Sequence, residues 1–152
     1  MKLLLDATCG GLRASLRLCG HDTAYALDRG IEDDDRLRVL ARREDRTLVT
    51  RDRELAARTE RSVLLTAREV DDQLRELAEA GIPLDVADDP AFCGRCNGSL
   101  DAMAETDSTP AYAPDPADQR VWRCVDCGQC FWKGSHWRAM RDRLAAVPRE
   151  GG

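Results

Sequence analysis

Along this chain, short apolar runs alternate with longer stretches in which apolar residues recur every three or four positions. Leu3-Leu4-Leu5 stops at Asp6, and Thr47-Leu48-Val49-Thr50 stops at Arg51-Asp52. A short, continuous apolar run ending at a polar group reads as a buried parallel strand whose C-terminal end opens on a crevice. Between these runs, Gly10 to Cys19 reads as a helix closed by Gly20, with Leu12, Leu16 and Leu18 inward and Arg13 and Arg17 outward. Asp22 to Leu27 reads as a second strand, and Asp35 to Glu44 as a helix carrying Leu37, Leu40 and Ala41 on one face. Arg46 to Thr50 is the third strand, Asp52 to Arg58 a short helix that Asp52 caps or begins, and Ser62 to Thr66 a fourth strand. Glu69 to Ala80 is a helix ended by Gly81 and Pro83. Alternation at this spacing predicts βαβ units and a parallel sheet with right-handed crossovers.

The pattern breaks after Gly81. Asp85 to Pro90 has the composition of a linker, and a cysteine-bearing segment starts at Phe92. Inside that segment, Asp101 to Asp118 is acidic and rich in Pro, Ala and Thr, and is expected to be a mobile loop. Ser135 to Val147 reads as a terminal helix, with His136, Trp137, Met140 and Leu144 at helical spacing. The division expected is one α/β domain over residues 1–88 and a smaller unit over 89–152. A net charge of −5 and a pI near 5.1 exclude a generally basic nucleic-acid-binding surface but leave room for a local patch. Leu3 to Leu5 is too short for a signal-peptide core or a membrane span, so the expectation is a soluble, cytoplasmic protein with no membrane partner.

Placed on a parallel sheet, the acids acquire a meaning. Asp6 ends the first strand, Asp52 follows the third, and Asp33, Asp34 and Asp35 lie between the second strand and the next helix. All these places fall on the carboxyl edge of the sheet, where open α/β sheets bind ligands. Clustered carboxylates repel, and a hard divalent cation such as Mg²⁺ or Mn²⁺ relieves that repulsion. An ion held that way activates water and stabilises charge in phosphodiester hydrolysis. In such a scheme Arg51 would hold a substrate phosphate and Thr50 would orient a carboxylate. The competing reading makes each Asp a helix cap or turn residue.

The cysteines carry a second signal. Cys93-x2-Cys96 and Cys124-x2-Cys127 are two knuckles, and two such turns can complete a four-sulfur Zn²⁺ site. Cys127-x2-Cys130 offers a rival pair. Four thiolates leave zinc no open position, so the metal would be structural. Cys9 and Cys19 read as small packing residues. All three tryptophans, Trp122, Trp132 and Trp137, lie in this last third among Arg120, Arg123, Lys133, His136 and Arg138. Aromatic rings interleaved with cations stack bases and hold phosphates, which makes Lys133, His136 and Arg138 candidate substrate contacts. Packing between the two units is the alternative use of the rings.

The segment Leu5-Asp6-Ala7-Thr8-Cys9-Gly10-Gly11-Leu12 through Leu16-Arg17-Leu18-Cys19-Gly20-His21-Asp22-Thr23 resembles the opening of the Mut-seven C-terminal (Mut7-C) ribonuclease-like family, a PIN-like group. Asp34-Asp35-Arg36-Leu37, Ala41, Leu48-Val49-Thr50-Arg51-Asp52, the four-cysteine segment and Trp132-Lys133-Gly134-Ser135-His136-Trp137 continue the likeness in order. The resemblance implies a PIN-like α/β/α sandwich with a parallel sheet, followed by a C-terminal zinc ribbon and helix. It implies a metal-dependent ribonuclease site in which Asp6 and Asp52 match most firmly, Asp34 next, and Asp35 competes with Asp34. It places an apolar residue at Cys130, which favours Cys124 and Cys127 as ligands beside Cys93 and Cys96, and a large apolar residue at Cys9. The cofactors so implied are structural Zn²⁺ and catalytic Mg²⁺ or Mn²⁺, and the partner is RNA. The alternative class is a non-catalytic module that binds RNA, a ribosome or a protein partner through the ribbon.

Overall fold

The computed structural model describes residues 1–148. Four parallel strands form the central sheet: β1 (Lys2–Leu5), β2 (Asp22–Tyr25), β3 (Thr47–Thr50) and β4 (Ser62–Leu64), in the order β2-β1-β3-β4. Their register sets Leu5 between Tyr25 and Val49, and Thr50 opposite Leu64. Helices α1 (Arg13–Leu18), α2 (Asp34–Arg43), α3 (Arg53–Arg58), α4 (Val70–Glu79) and α5 (Ser135–Ala145) complete the fold.

Because side chains alternate across a strand, the sheet splits its apolar residues between two cores. Leu3, Leu5 and Val49 point to one face, where Leu12, Leu16, Leu74 and Leu77 cover them. Leu4, Ala24 and Leu48 point to the other, beneath Leu37 and Ala41 of α2 and Leu55 of α3. Both faces are covered, as a parallel sheet requires, and the expected α/β/α layering is what forms.

Three local expectations change. The helix expected over residues 10–19 divides into a 3-10 turn, Ala7–Leu12, and α1. Gly10 and Gly11 weaken an α-helix there, and Gly10 is pressed so close to Tyr25 that a Cβ would stand 2.6 Å from the phenol oxygen. Strand two ends at Tyr25, and a 3-10 turn, Ala26–Arg29, closes at Gly30 with φ +64°. Arg17 does not point outward. It is 1% exposed, and its guanidinium donates to the Thr23 carbonyl (2.9 and 3.0 Å) and to the Gly94 carbonyl (3.0 Å). Those acceptors satisfy the donors of a buried cation, and burial still lowers its pKa.

The cysteine segment adds a small antiparallel sheet of β5 (Leu100–Ala102), β6 (Trp122–Cys124) and β7 (Cys130–Phe131). The stretch expected as a mobile loop contributes part of β5. It is further tied down where Tyr112 accepts a hydrogen bond from the Cys130 N–H (3.0 Å). The first knuckle sits against the β2 edge. Asn97 accepts from the Thr23 N–H (2.9 Å) and donates to Asp22 (2.7 Å), so a side-chain amide occupies an edge that would otherwise be open.

The terminal helix returns to the main body. Leu144 of α5 and Val147 beyond it join the core formed by Leu3, Leu5 and Leu77. Residues 149–152, at the end of the predicted second unit, lie outside the described residues. Leu144→Ala is therefore expected to destabilise the α/β body by about 2–5 kcal/mol, the usual cost of emptying a buried leucine site. Urea unfolding followed by far-UV circular dichroism measures it.

Candidate active site and cysteine centre

At the carboxyl edge of the sheet, Asp6 directly follows β1 and is only 7% exposed. Its Oδ1 accepts from the Thr8 N–H (2.9 Å) and hydroxyl (2.6 Å), and its Oδ2 accepts from the Thr50 hydroxyl (2.5 Å). The Thr50 hydroxyl oxygen in turn accepts from the Asp52 N–H (3.0 Å). One threonine side chain thus joins the ends of β1 and β3. Asp52 caps α3, with its Oδ1 accepting from the Glu54 and Leu55 N–H groups (3.0 and 3.1 Å). Capping uses one carboxylate oxygen of this exposed group.

Asp34 and Asp35 part company at the start of α2. Asp35 is paired with Arg38 and Arg58, both at 3.3 Å. Asp34 lies within electrostatic reach of Asp52 and Asp6. Desolvation, then the charges of Asp52 and Asp33 and more weakly Asp6, hold its carboxyl above its ordinary pKa, while Arg58 pulls it down. Asp33 caps α2 through the Asp35 N–H (3.4 Å).

Arg51 is half-buried beside these acids, and its Nε is buried with no hydrogen-bond partner among the described residues. Its charge reaches Glu76, a residue the sequence reading did not single out. Glu76 accepts from the N–H groups of Thr66 and Ala67 and the Thr66 hydroxyl, clasping the chain after β4. Burial pushes its carboxyl upward, but those N–H donors bring it below its ordinary value. Helical spacing alone carried no sign of that clasp. Cys9 is buried, and desolvation followed by the neighbouring Asp6 charge pushes its thiol up to about 12, so it packs as a neutral group.

The thiols of Cys93, Cys96, Cys124 and Cys127 converge, with their sulfurs all within 4.8 Å of one another. The Cys93–Cys127 and Cys96–Cys124 separations are 3.7 and 3.5 Å, close to the roughly 3.8 Å edge of a tetrahedron with Zn–S bonds of about 2.3 Å. The N–H groups of Arg95 and Cys127 point at Cys93 and Cys124 sulfurs (both 3.4 Å). The donor set fits a closed, structural zinc. Cys130 is buried in β7 and stands outside the set. Among the described residues, no acids converge in the same way.

The model of the Mut7-C RNAse domain matches residues 1–144. The chain belongs to the Mut7-C RNAse domain family. No curated protein and no solved structure matches it. Family membership makes it a chain of a ribonuclease family.

In this Mut7-C chain the remaining candidates gather elsewhere. Lys133 lies 5.1 Å from the Trp137 ring centre, Arg138 donates to the Lys133 carbonyl (3.3 Å), and His136 is exposed in the first turn of α5. Trp122 is buried at 3% exposure and serves packing, with Arg120 over its ring at 4.8 Å; Trp132 and Trp137 stay half-buried. Among the described residues no helix is long and apolar enough to cross a membrane.

Two outcomes are expected. Elemental analysis of the purified chain should find about one zinc per molecule, and Cys124→Ser should lose it. In zinc-loaded protein free of other divalent ions, an NMR carboxyl titration should show Asp34 protonating at higher pH than an ordinary aspartate. A cation held there would compete with protons, so any divalent affinity measured by calorimetry should weaken as pH falls through that raised pKa.

Proposed function

We propose that this chain is a divalent-metal-dependent ribonuclease whose centre is Asp6, Asp34 and Asp52. The observation that carries the proposal is the Asp6–Thr50–Asp52 linkage at the sheet's carboxyl edge, in a chain of a ribonuclease family. Asp34 is preferred over Asp35 because two arginines already engage Asp35. Bound there, Mg²⁺ or Mn²⁺ would supply an activated water and stabilise charge on the oxygens of the scissile phosphate. Thr50, by donating to Asp6, fixes that carboxylate's orientation. Arg51, with an unpaired buried Nε, would meet the substrate phosphate. These acids do not converge as the cysteines do, which suits a hard ion that keeps several waters and few protein ligands.

In this reading residues 1–88 form the catalytic unit, and residues 89–152 a zinc-stapled ribbon and helix whose Lys133, His136 and Arg138 grip RNA in the cytoplasm. The second reading, a non-catalytic RNA-binding module, draws on one observation: Asp52 and Asp33 already serve as helix caps. Cleavage of labelled single-stranded and hairpin RNAs across EDTA, Mg²⁺ and Mn²⁺ series separates the two. Asp6→Asn and Asp52→Asn should each lower divalent-dependent cleavage by about a hundredfold or more while circular dichroism stays unchanged. Full activity in either mutant sinks the assignment, and intact binding with no cleavage under any ion favours the module.

A further inference from the structure

A groove of about 510 Å³ runs between α1 and the ribbon, within the size range of small-ligand sites. Leu18, Phe92, Phe131, Trp132, Trp137 and Met140 line it, and each remains half-buried. None of Asp6, Asp34 or Asp52 reaches it. Its apolar surface is therefore neither closed into a core nor part of the acidic crevice.

Two features narrow what it can hold. The first is a braced aromatic face. The Trp132 indole lies against Gly134 so closely that a Cβ there would stand 2.6 Å from its Nε1. The Tyr112 ring supports it at 6.1 Å, tilted by 33°. A ring held this way offers a stacking surface that needs little ordering when a ligand arrives. The second is charge. Arg95 and His136 stand on the groove, and Lys133 and Arg141 lie 5.1 and 5.3 Å from the Trp137 ring centre. Lys133 and Arg141 line a neighbouring cavity with Asp85 and Asp88, but the groove's own lining holds Arg95 and no carboxylate, which in a chain of net charge −5 complements an anion. Flat aromatic walls beside cations match a ligand with a π-face joined to phosphates, which is a nucleotide unit of a single strand. An aliphatic peptide would use the walls but bring no anion to Arg95.

We propose that this groove is a nucleobase subsite that takes one unstacked base of single-stranded RNA, remote from the scissile phosphate. The assignment rests on the reading that RNA is this chain's ligand. Its consequence is selectivity: paired bases stacked within a duplex cannot enter, so the chain takes unpaired RNA over duplex.

The test uses the Asp52→Asn form of this 152-residue chain with zinc bound, so that RNA binds without being cut. Tryptophan fluorescence is titrated with a twelve-nucleotide single strand, its duplex, and a set of strands carrying one abasic nucleotide at each position in turn. The single strand should quench the fluorescence and bind more tightly than the duplex. Abasic substitution at one register should weaken binding about tenfold, on the scale of one base–aromatic stack. Trp132→Ala should erase that sensitivity, while Trp132→Phe, which keeps a ring, should retain most of it. Zinc content shows that both variants remain folded around the ribbon. Indifference to every abasic position, or equal affinity for duplex, overturns the proposal. So does quenching by a glutamate-rich, phenylalanine-bearing peptide where RNA gives none, which makes the groove a protein-binding site. Cleavage by the unmutated chain is followed in parallel. Cleavage without abasic sensitivity overturns the subsite alone; abasic sensitivity without cleavage supports the subsite and overturns the nuclease reading.

Discussion

Parallel pairing of β1 with β3 is the constraint on which the molecule depends. It sets Leu5 beside Val49, and so places Asp6 and Thr50 at the same edge within hydrogen-bonding reach. Were β3 antiparallel to β1, Thr50 and Asp52 would emerge at the opposite edge and the linkage could not form. The same constraint requires helical crossovers and covers both faces of the sheet, which explains the two apolar cores and the Leu-rich strands. Fold and crevice have one cause.

Within the crevice the carboxylates are deliberately unequal. Asp6 is buried and held by two threonines, whereas Asp34 and Asp52 are exposed. A buried anion anchored by hydrogen bonds gives a fixed reference point, and exposed anions at helix starts can adjust to an ion and its waters. Asp34's carboxyl is raised first by desolvation and then by the charges of Asp52, Asp33 and Asp6, a repulsion that a cation would relieve.

The ribbon is bound into the body rather than hung from it. Arg17 reaches out of α1 to the Gly94 carbonyl within the first knuckle, Asn97 covers the β2 edge, and α5 returns Leu144 to the main core. Through these contacts the segment that carries the four-thiol cluster is tied to the sheet. The aromatic groove exists because α1 and the ribbon are held at this spacing.

By itself the sequence determined the βαβ alternation, the carboxyl-edge placement of Asp6 and Asp52, and the two cysteine knuckles. Each is written in local periodicity or spacing, and a period of two or three-and-a-half or a CxxC turn needs no distant partner to be read. Tertiary structure alone decided that Arg17 lies inward, that Asp35 is committed to Arg38 and Arg58 while Asp34 is not, and that Tyr112 ties the acidic loop to β7. It also decided that Glu76 clasps the turn after β4 and that Leu144 belongs to the first core. Apart from the i,i+3 pair Asp35–Arg38, these are contacts between residues nine or more positions apart, and helical spacing treats an arginine with a buried acceptor and one facing water alike. What a side chain meets across that distance is set by packing, and packing leaves no local trace in the sequence.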